Sequence, residues 1–400
     1  MKKIKKDVFW IGKVDWEIRK FHGDEYSTHR GTTYNSYLVK DKKTALIDTV
    51  WSPFSAEFVR NLDNQISLKN IDYIVAQHAE IDHSGGLAEL MEHIPDTPVY
   101  CTNNGMKSFK GHFHKNWNFV PVKTGDKLNL GKKELIFIEA PMLHWPDSMF
   151  SYLTEENILF SNDAFGQHLA SEMLFNDSVD QAELVQECIK YYANILTPFS
   201  GLVEKKIEEF KSLNVPLDMI CPSHGVIWRD NPLQIVGKYL DWSKNYRENQ
   251  ITIVYDTMWN GTRNMAEAIA KGVRSVDDEV VVKLFNISHT DKNDVVTEVF
   301  KSKTLLVGSP TINKGILSAV AGFMEQIRGL NFKDKRAAAF GTYGWSGESV
   351  DMINQGLENA GFELLESGLK STWNPDEKSL KECVDFGKEI AEKSKYSQHQ

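Results

Sequence analysis

The apolar positions follow two different rhythms along the chain. In the first half they come as short aromatic and β-branched runs, VFWIGKVDW (8–16), TYNSYLV (33–39) and TALIDTV (44–50), which predict strands. SAEFVRNLDNQI (55–66) has helical spacing, and IDYIVAQH (71–78) is a mostly apolar run that stops at a cluster of polar residues. LAELMEHI then predicts a helix, TPVYCT a strand and GMKSFKGHF a helix. Two hairpin-like pairs follow, KLNL-GK-KELIFIEA and SMFSYL-TEEN-ILFSND. Strand, hairpin and helix mixed in this way predict an α+β layered sandwich.

The second half alternates regularly. ITIVYDT, VVVKLFN, TLLVGSP, KRAAAFGTYG and FELLESG predict five short strands. NMAEAIAKGVRS, DVVTEVFKS, ILSAVAGFMEQIRG and SVDMINQGLENA predict the helices between them. Alternating strands and helices make a parallel sheet covered on both faces, and five strands suit the flavodoxin-like doubly wound fold. The polar stretch DWSKNYRENQ (241–250) separates the halves as a linker or a frayed helix end. The expected domains are therefore 1–248 and 249–400.

Composition narrows the class. A chain of 400 residues, 41% hydrophobic and 25% charged, is an ordinary globular protein with room for two cores. A net charge of −9 argues against a broad nucleic-acid footprint. The start, MKKIKKDVFW, is basic but is followed by no apolar run of signal-peptide length, and no stretch approaches a membrane span. The four cysteines (101, 188, 221 and 383) form no CxxC pair, which argues against a zinc knuckle, a rubredoxin-type iron centre or a disulfide framework. A cytoplasmic location is expected.

Ten of the twelve histidines precede residue 225, so the halves do different chemistry. The segment HAEIDHSGG sets His78, Glu80, Asp82 and His83 directly after an apolar strand. If it is extended, His78, Glu80 and Asp82 share one side, with His83 at the turn. Three more donors follow strand-like runs: His144 in PMLHWPDSM, Asp163 in FSNDAFG and His224 in CPSHG. One histidine after a strand is ordinarily a hydrogen-bonded loop residue. Seven donors at strand ends form a candidate metal site.

HxExDH resembles the metallo-β-lactamase-fold signature HxHxDH, with Glu80 in place of its second histidine. With His144, Asp163 and His224, and with FHG, RGTTYN and MLHWPDSM elsewhere, the chain resembles the flavodiiron proteins, or A-type flavoproteins. The resemblance implies a metallo-β-lactamase-like αββα sandwich followed by a flavodoxin-like domain. It further implies that His78, Glu80 and His144 hold one iron, that Asp82, His83 and His224 hold the other, and that Asp163 bridges them. Three carboxylates among four imidazoles suit iron better than zinc, because hard oxygen donors tolerate a changing metal charge. His22 and the pair Tyr191 and Tyr192 match positions near the di-iron site, where a proton donor would assist bond cleavage.

Three loops after strands of the second half suit a flavin mononucleotide (FMN). Thr257, Met258, Trp259, Asn260, Gly261 and Thr262 open a helix, offering hydroxyls and backbone N–H groups to a phosphate, much as the flavodoxin phosphate loop does. No Walker lysine is present to suggest ATP. Ser309, Pro310, Thr311, Ile312 and Asn313 form a second loop, and Thr342, Tyr343, Gly344, Trp345, Ser346 and Gly347 a third. These present backbone groups and an aromatic ring to an isoalloxazine.

Together, the resemblance implies reduction of dioxygen to water, of nitric oxide to nitrous oxide, or of both. A separate donor, such as rubredoxin or a reduced deazaflavin, would supply electrons. A head-to-tail homodimer or dimer of dimers would bring the flavin of one chain to the irons of another. The alternatives are a metal-dependent hydrolase carrying a flavodoxin module, and a plain electron carrier with a structural first half.

Overall fold

The computed structural model describes residues 1–395. They form two compact units, one of Met1–Tyr192 with Phe199–Leu240, the other of Ala193–Pro198 with the chain from Asp241 onward.

The first unit is a sandwich of two sheets. One sheet runs Lys2–Lys5, Val8–Trp10, Tyr37–Lys40, Thr44–Ile47, Tyr73–Val75, Val99–Thr102, Phe119–Val122. The other runs Lys127–Asn129, Glu134–Glu139, Met149–Leu153, Ile158–Asn162, Met219–Pro222. Their inner faces interdigitate: Tyr37, Val39, Ile47 and Val75 meet Leu135, Phe137, Leu153 and Phe160, all buried. Both expected hairpins form. VFWIGKVDW and TYNSYLV each divide into two short strands, because Ile11 and Gly12 cross tightly over the second segment. A Cβ on Gly12 would stand 2.1 Å from the Tyr34 carbonyl oxygen.

Strand direction gathers the loops that matter. Ile158–Asn162 and Met219–Pro222 run parallel with Asn162 opposite Pro222, so Asp163 and His224 leave the sheet at one end. Met149–Leu153 runs antiparallel to Ile158–Asn162, so the loop carrying His144 enters at that same end. Met149 N–H donates to the Gln77 carbonyl at 3.0 Å, tying this rim to the strand end that precedes His78.

The second unit has an all-parallel sheet in the order Val281–Asn286, Glu248–Tyr255, Ser302–Gly308, Arg336–Tyr343, Glu363–Leu364. This strand order, 2-1-3-4-5, is the flavodoxin-like one. The fifth strand, expected over FELLESG, is broken: Glu363–Leu364 pairs with one end of Arg336–Tyr343, and Leu369–Thr372 pairs with the other. A final helix, Glu377–Lys393, was not among the elements expected. It crosses Gly261–Arg274 through two glycines. A Cβ on Gly272 would lie 2.0 Å from the Val384 carbonyl, and one on Gly387 2.2 Å from that of Ile269. The polar stretch 241–250 is mostly ordered, with a helix ending at Ser243 and a strand beginning at Glu248.

Candidate metal centre and cofactor pocket

The loop after Tyr73–Val75 stays extended only as far as Glu80. Ile81–Ser84 forms one helical turn, which separates Asp82 from His78 and Glu80. The expectation that His78, Glu80 and Asp82 share a side is therefore corrected. Two donor groups result: His78, Glu80, His144 and Asp163 in one, Asp82, His83 and His224 in the other, with the donor atoms of each lying within 4.8 Å of one another.

Asp163 faces both groups. Its Oδ2 lies 3.6 Å from His78 Nε2 and 3.5 Å from His144 Nε2. Its Oδ1 lies 2.9 Å from His83 Nε2 and 3.6 Å from His224 Nε2. Asp82 Oδ2 lies 3.0 Å from His224 Nε2 and 3.2 Å from His83 Nε2. Glu80 Oε2 lies 3.2 Å from His78 Nε2 and 3.3 Å from His144 Nε2.

The electrostatics are those of a cation site. Both oxygens of Asp163, Oδ1 of Asp82 and Nε2 of His83 are buried and make no well-aligned hydrogen bond among the described residues, even though Asp163 Oδ1 and His83 Nε2 stand 2.9 Å apart. Leaving such atoms unsatisfied is costly unless a ligand completes them. Burial, the largest influence on each carboxyl, opposes ionisation. It is outweighed at Asp163 by His83, His78 and His144, and at Glu80 by hydrogen bonds from His144, His22 and His78, so both stay well below the usual carboxylate range. Burial likewise opposes a proton on His83, but the charges of Asp163 and Asp82 push it up to about 9. Hard carboxylates and imidazoles in this ratio fit two iron ions.

Residues that sequence reasoning did not single out hold the donors from behind. Asp147 is buried, lies 3.1 Å from His78 Nδ1 and accepts the Ala79 N–H at 2.7 Å, which leaves His78 Nε2 facing the cluster. The Thr33 carbonyl lies 2.6 Å from His224 Nδ1 and orients that ring in the same way. His168 packs 4.7 Å from the His224 ring and holds Thr32 Oγ1 at 2.8 Å. Burial, then the like charges of His224 and His22, push its pKa well down. Asp147 follows His144 in PMLHWPDSM, and only that place after a ligand signals its role in the sequence.

His22 Nε2 lies 3.0 Å from Glu80 Oε1, with its side chain partly exposed. Tyr191 is buried, its ring 5.4 Å from His168. Tyr192 is placed elsewhere: its hydroxyl lies 3.0 Å from Ser200 Oγ and its ring packs on Tyr239.

In the second unit the three expected loops line a cavity of about 870 Å³. Thr257, Met258, Trp259 and Gly261 come from the first, Pro310, Thr311, Ile312 and Asn313 from the second, and Thr342, Tyr343, Gly344, Trp345 and Ser346 from the third. Four expected residues support these loops without lining the cavity. Asn260 takes φ 65° at the head of the helix Gly261–Arg274. Thr262 Oγ1 lies 3.0 Å from Thr342 Oγ1. Ser309 Oγ accepts the Leu317 N–H. Gly347 donates to Glu348. Lys314, Trp373 and Asn374 also line the cavity and were not expected. The last two follow the displaced second half of the fifth strand. A helix N-terminus for phosphate and exposed indoles for a planar ring fit FMN.

Two family models match the chain. The ODP family β-lactamase model covers residues 32–225 and the flavodoxin model covers 253–387. The chain is 57% identical over 390 residues to an anaerobic nitric oxide reductase flavorubredoxin of Aliivibrio fischeri, spanning 97% of this chain and 78% of that protein. Its counterpart in Escherichia coli K12 is 56% identical, with 97% and 81% covered. The rubredoxin oxygen:oxidoreductase of Desulfovibrio gigas superposes with a TM-score of 0.95 at 37% identity over 98% of each chain. The flavodiiron protein of Giardia intestinalis superposes with a TM-score of 0.93 at 32% identity, covering 98% and 96%. The chain belongs to the flavodiiron protein family.

Proposed function

We propose that this protein is an oxidoreductase that reduces nitric oxide to nitrous oxide, and dioxygen to water, with electrons passing through FMN to a di-iron centre. The observation that carries the reading is the arrangement of seven donors in two groups, five of them buried and Glu80 and His144 partly so, with one carboxylate oxygen of Asp163 turned to each. In this reading His78, Glu80 and His144 would hold one iron, Asp82, His83 and His224 would hold the other, and Asp163 would serve both. Fully reduced FMN and two ferrous ions, when bound, would together supply four electrons, the number that takes dioxygen with four protons to two waters. Two nitric oxide molecules need two electrons and two protons to give nitrous oxide and one water.

The chain's own residues do the positioning and the proton work. Asp147 and the Thr33 carbonyl fix the ring orientations of His78 and His224. His22, the partly exposed member, keeps a proton at Nε2 against Glu80. Burial opposes that proton, but the hydrogen bond to Glu80 and the acidic charge around it raise the pKa. Tyr191 keeps its hydroxyl proton because burial, then the charge of Asp163, raises its pKa well above the usual value. His22, set against Glu80, is the proton donor of this reading, and Tyr191, its ring 5.4 Å from that of His168, stays neutral beside the residues that support the donors. Tyr192, bonded at Ser200, serves packing instead.

The hydrolase alternative is not favoured, since relatives sharing more than half of their residues with this chain are named as reductases. The electron donor we propose is of the rubredoxin class, supported by the names of the relatives. No helix among the described residues is long and apolar enough to cross a membrane. The four free, buried cysteines suit the cytoplasm. Three exposed indoles around the flavin pocket suit a second copy of the chain as their cover.

The test is turnover with reduced rubredoxin, with nitric oxide under anaerobic conditions and with dioxygen in a separate assay. Nitric oxide should disappear with one nitrous oxide formed per two consumed. Holoprotein containing both cofactors that turned over neither gas would refute the proposal.

A further inference from the structure

A second cavity lies in the first unit, between the outer face of the five-stranded sheet and the helix Ser200–Ser212. Val203, Lys206, Ile207 and Phe210 recur at the spacing of one helix face and line it from the helix side. Phe150 and Leu159, from two neighbouring strands, line the sheet side. Its volume is about 20 Å³, enough for one water-sized molecule. No polar atom faces into it, so a water there would find no partner, and such a space stays dry and takes apolar guests. Lys206 contributes only its methylene stem, since its ammonium pairs with Glu209 at 2.8 Å.

The cavity's position gives it meaning. Leu143, Ala164 and Phe165 also line it, and the first two adjoin His144 and Asp163 directly in the chain. Phe165 holds φ 68°, a conformation costly for a bulky residue, and Trp228 Nε1–H fixes its carbonyl at 2.8 Å. Its ring packs 4.8 Å from that of Tyr239, another lining residue. The loop beyond Asp163 thus turns an aromatic wall towards this space and away from the charged donors.

We propose that this cavity is a holding site for a small apolar gas, nitric oxide or dioxygen, beside the di-iron centre. A neutral diatomic has the size and polarity the cavity accepts, whereas water and ions have not. A gas molecule held there would touch Leu143 and Ala164, the chain neighbours of His144 and Asp163, and would raise the local supply when the gas is dilute. The identity of the guest rests on the reductase reading above; the cavity's affinity for an apolar atom does not.

Krypton-pressurised crystals of the holoprotein test the cavity itself. Krypton should appear between Val203, Ile207 and Phe165, and its absence there would overturn the proposal. Val203→Phe fills the space. At limiting nitric oxide it should lower kcat/KM about 3- to 10-fold while kcat, iron and FMN content keep their wild-type values. An unchanged kcat/KM in Val203→Phe that no longer binds krypton would also overturn it. Should that variant fold poorly, Val203→Leu fills less and should lower kcat/KM by a smaller factor. Ile207→Ala enlarges the cavity and should bind krypton at higher occupancy. Krypton binding in a holoprotein that reduced neither gas would remove the reductase reading, and with it these guests.

Discussion

The metal centre and the flavin pocket are built on opposite plans. Five of the seven donors of the first unit are buried and the other two, Glu80 and His144, only partly exposed, and the rings of His78 and His224 are each fixed from behind. The flavin pocket is a wide opening among loops, with Trp259, Trp345 and Trp373 exposed at 84%, 88% and 66%. The difference follows from what each must hold. Metal cations repay the burial of carboxylates only if several donors already converge, so the protein must place them in advance. A flavin brings its own large apolar surface, so a helix N-terminus and a few rings at the rim suffice.

The comparison is broken most severely at Asp163. If one carboxylate serves both irons, Asp163→Asn should lower iron content at both positions and cut turnover by at least about 100-fold, because two cations then share less compensating charge. His144→Ala should weaken mainly one position. Iron analysis alongside turnover checks this, and an Asp163→Asn protein with full iron and full rate would contradict it. The next effect is at Asp147. Asp147→Ala releases His78 Nδ1 and should weaken iron binding about 10- to 100-fold, as outer-shell losses typically do, with FMN content unchanged. Competition with a chelator measures it.

The third prediction concerns pH. In the metal-free protein His83 titrates near 9, against an ordinary value of 6.5. A raised histidine pKa gives the metal-free fold stability that is complete below about pH 6.5 and is lost as pH rises through about 9. Iron needs the neutral imidazole, so its apparent affinity should rise by up to about tenfold per pH unit across that window. The gap in Tm between iron-loaded and metal-free protein should widen accordingly. A gap independent of pH would remove His83 from the ligand set. The smallest effect belongs to the open pocket. Trp345→Ala should weaken FMN about 3- to 10-fold, the value of one aromatic contact of about 0.5–1.5 kcal/mol, and leave iron unchanged. Flavin retention on dilution reads it out.

What could be read in advance divides along the same line. HAEIDHSGG announces metal chemistry because four donors crowd one loop, and His144, Asp163 and His224 stand out by following apolar strands. The helical turn Ile81–Ser84 was not legible, and it alone moves Asp82 from Glu80 to His224. Asp147 and His168 were hidden because their partners, His78 and Thr32, lie far along the chain and meet them only through sheet register. In the second unit strand–helix alternation gave the sheet, but Trp373 and Asn374 reach the pocket only because the fifth strand breaks and resumes at Leu369. Asn260, Thr262, Ser309 and Gly347 also hold the loops in shape, through contacts that no local pattern announces.

The central claim is that one chain joins a di-iron centre to FMN. Metal and flavin analysis of protein made with ample iron tests it most directly. The account predicts about two irons and one FMN per chain, because the donor set is hard and complete and the flavin loops converge. Zinc at full occupancy with no iron would contradict it.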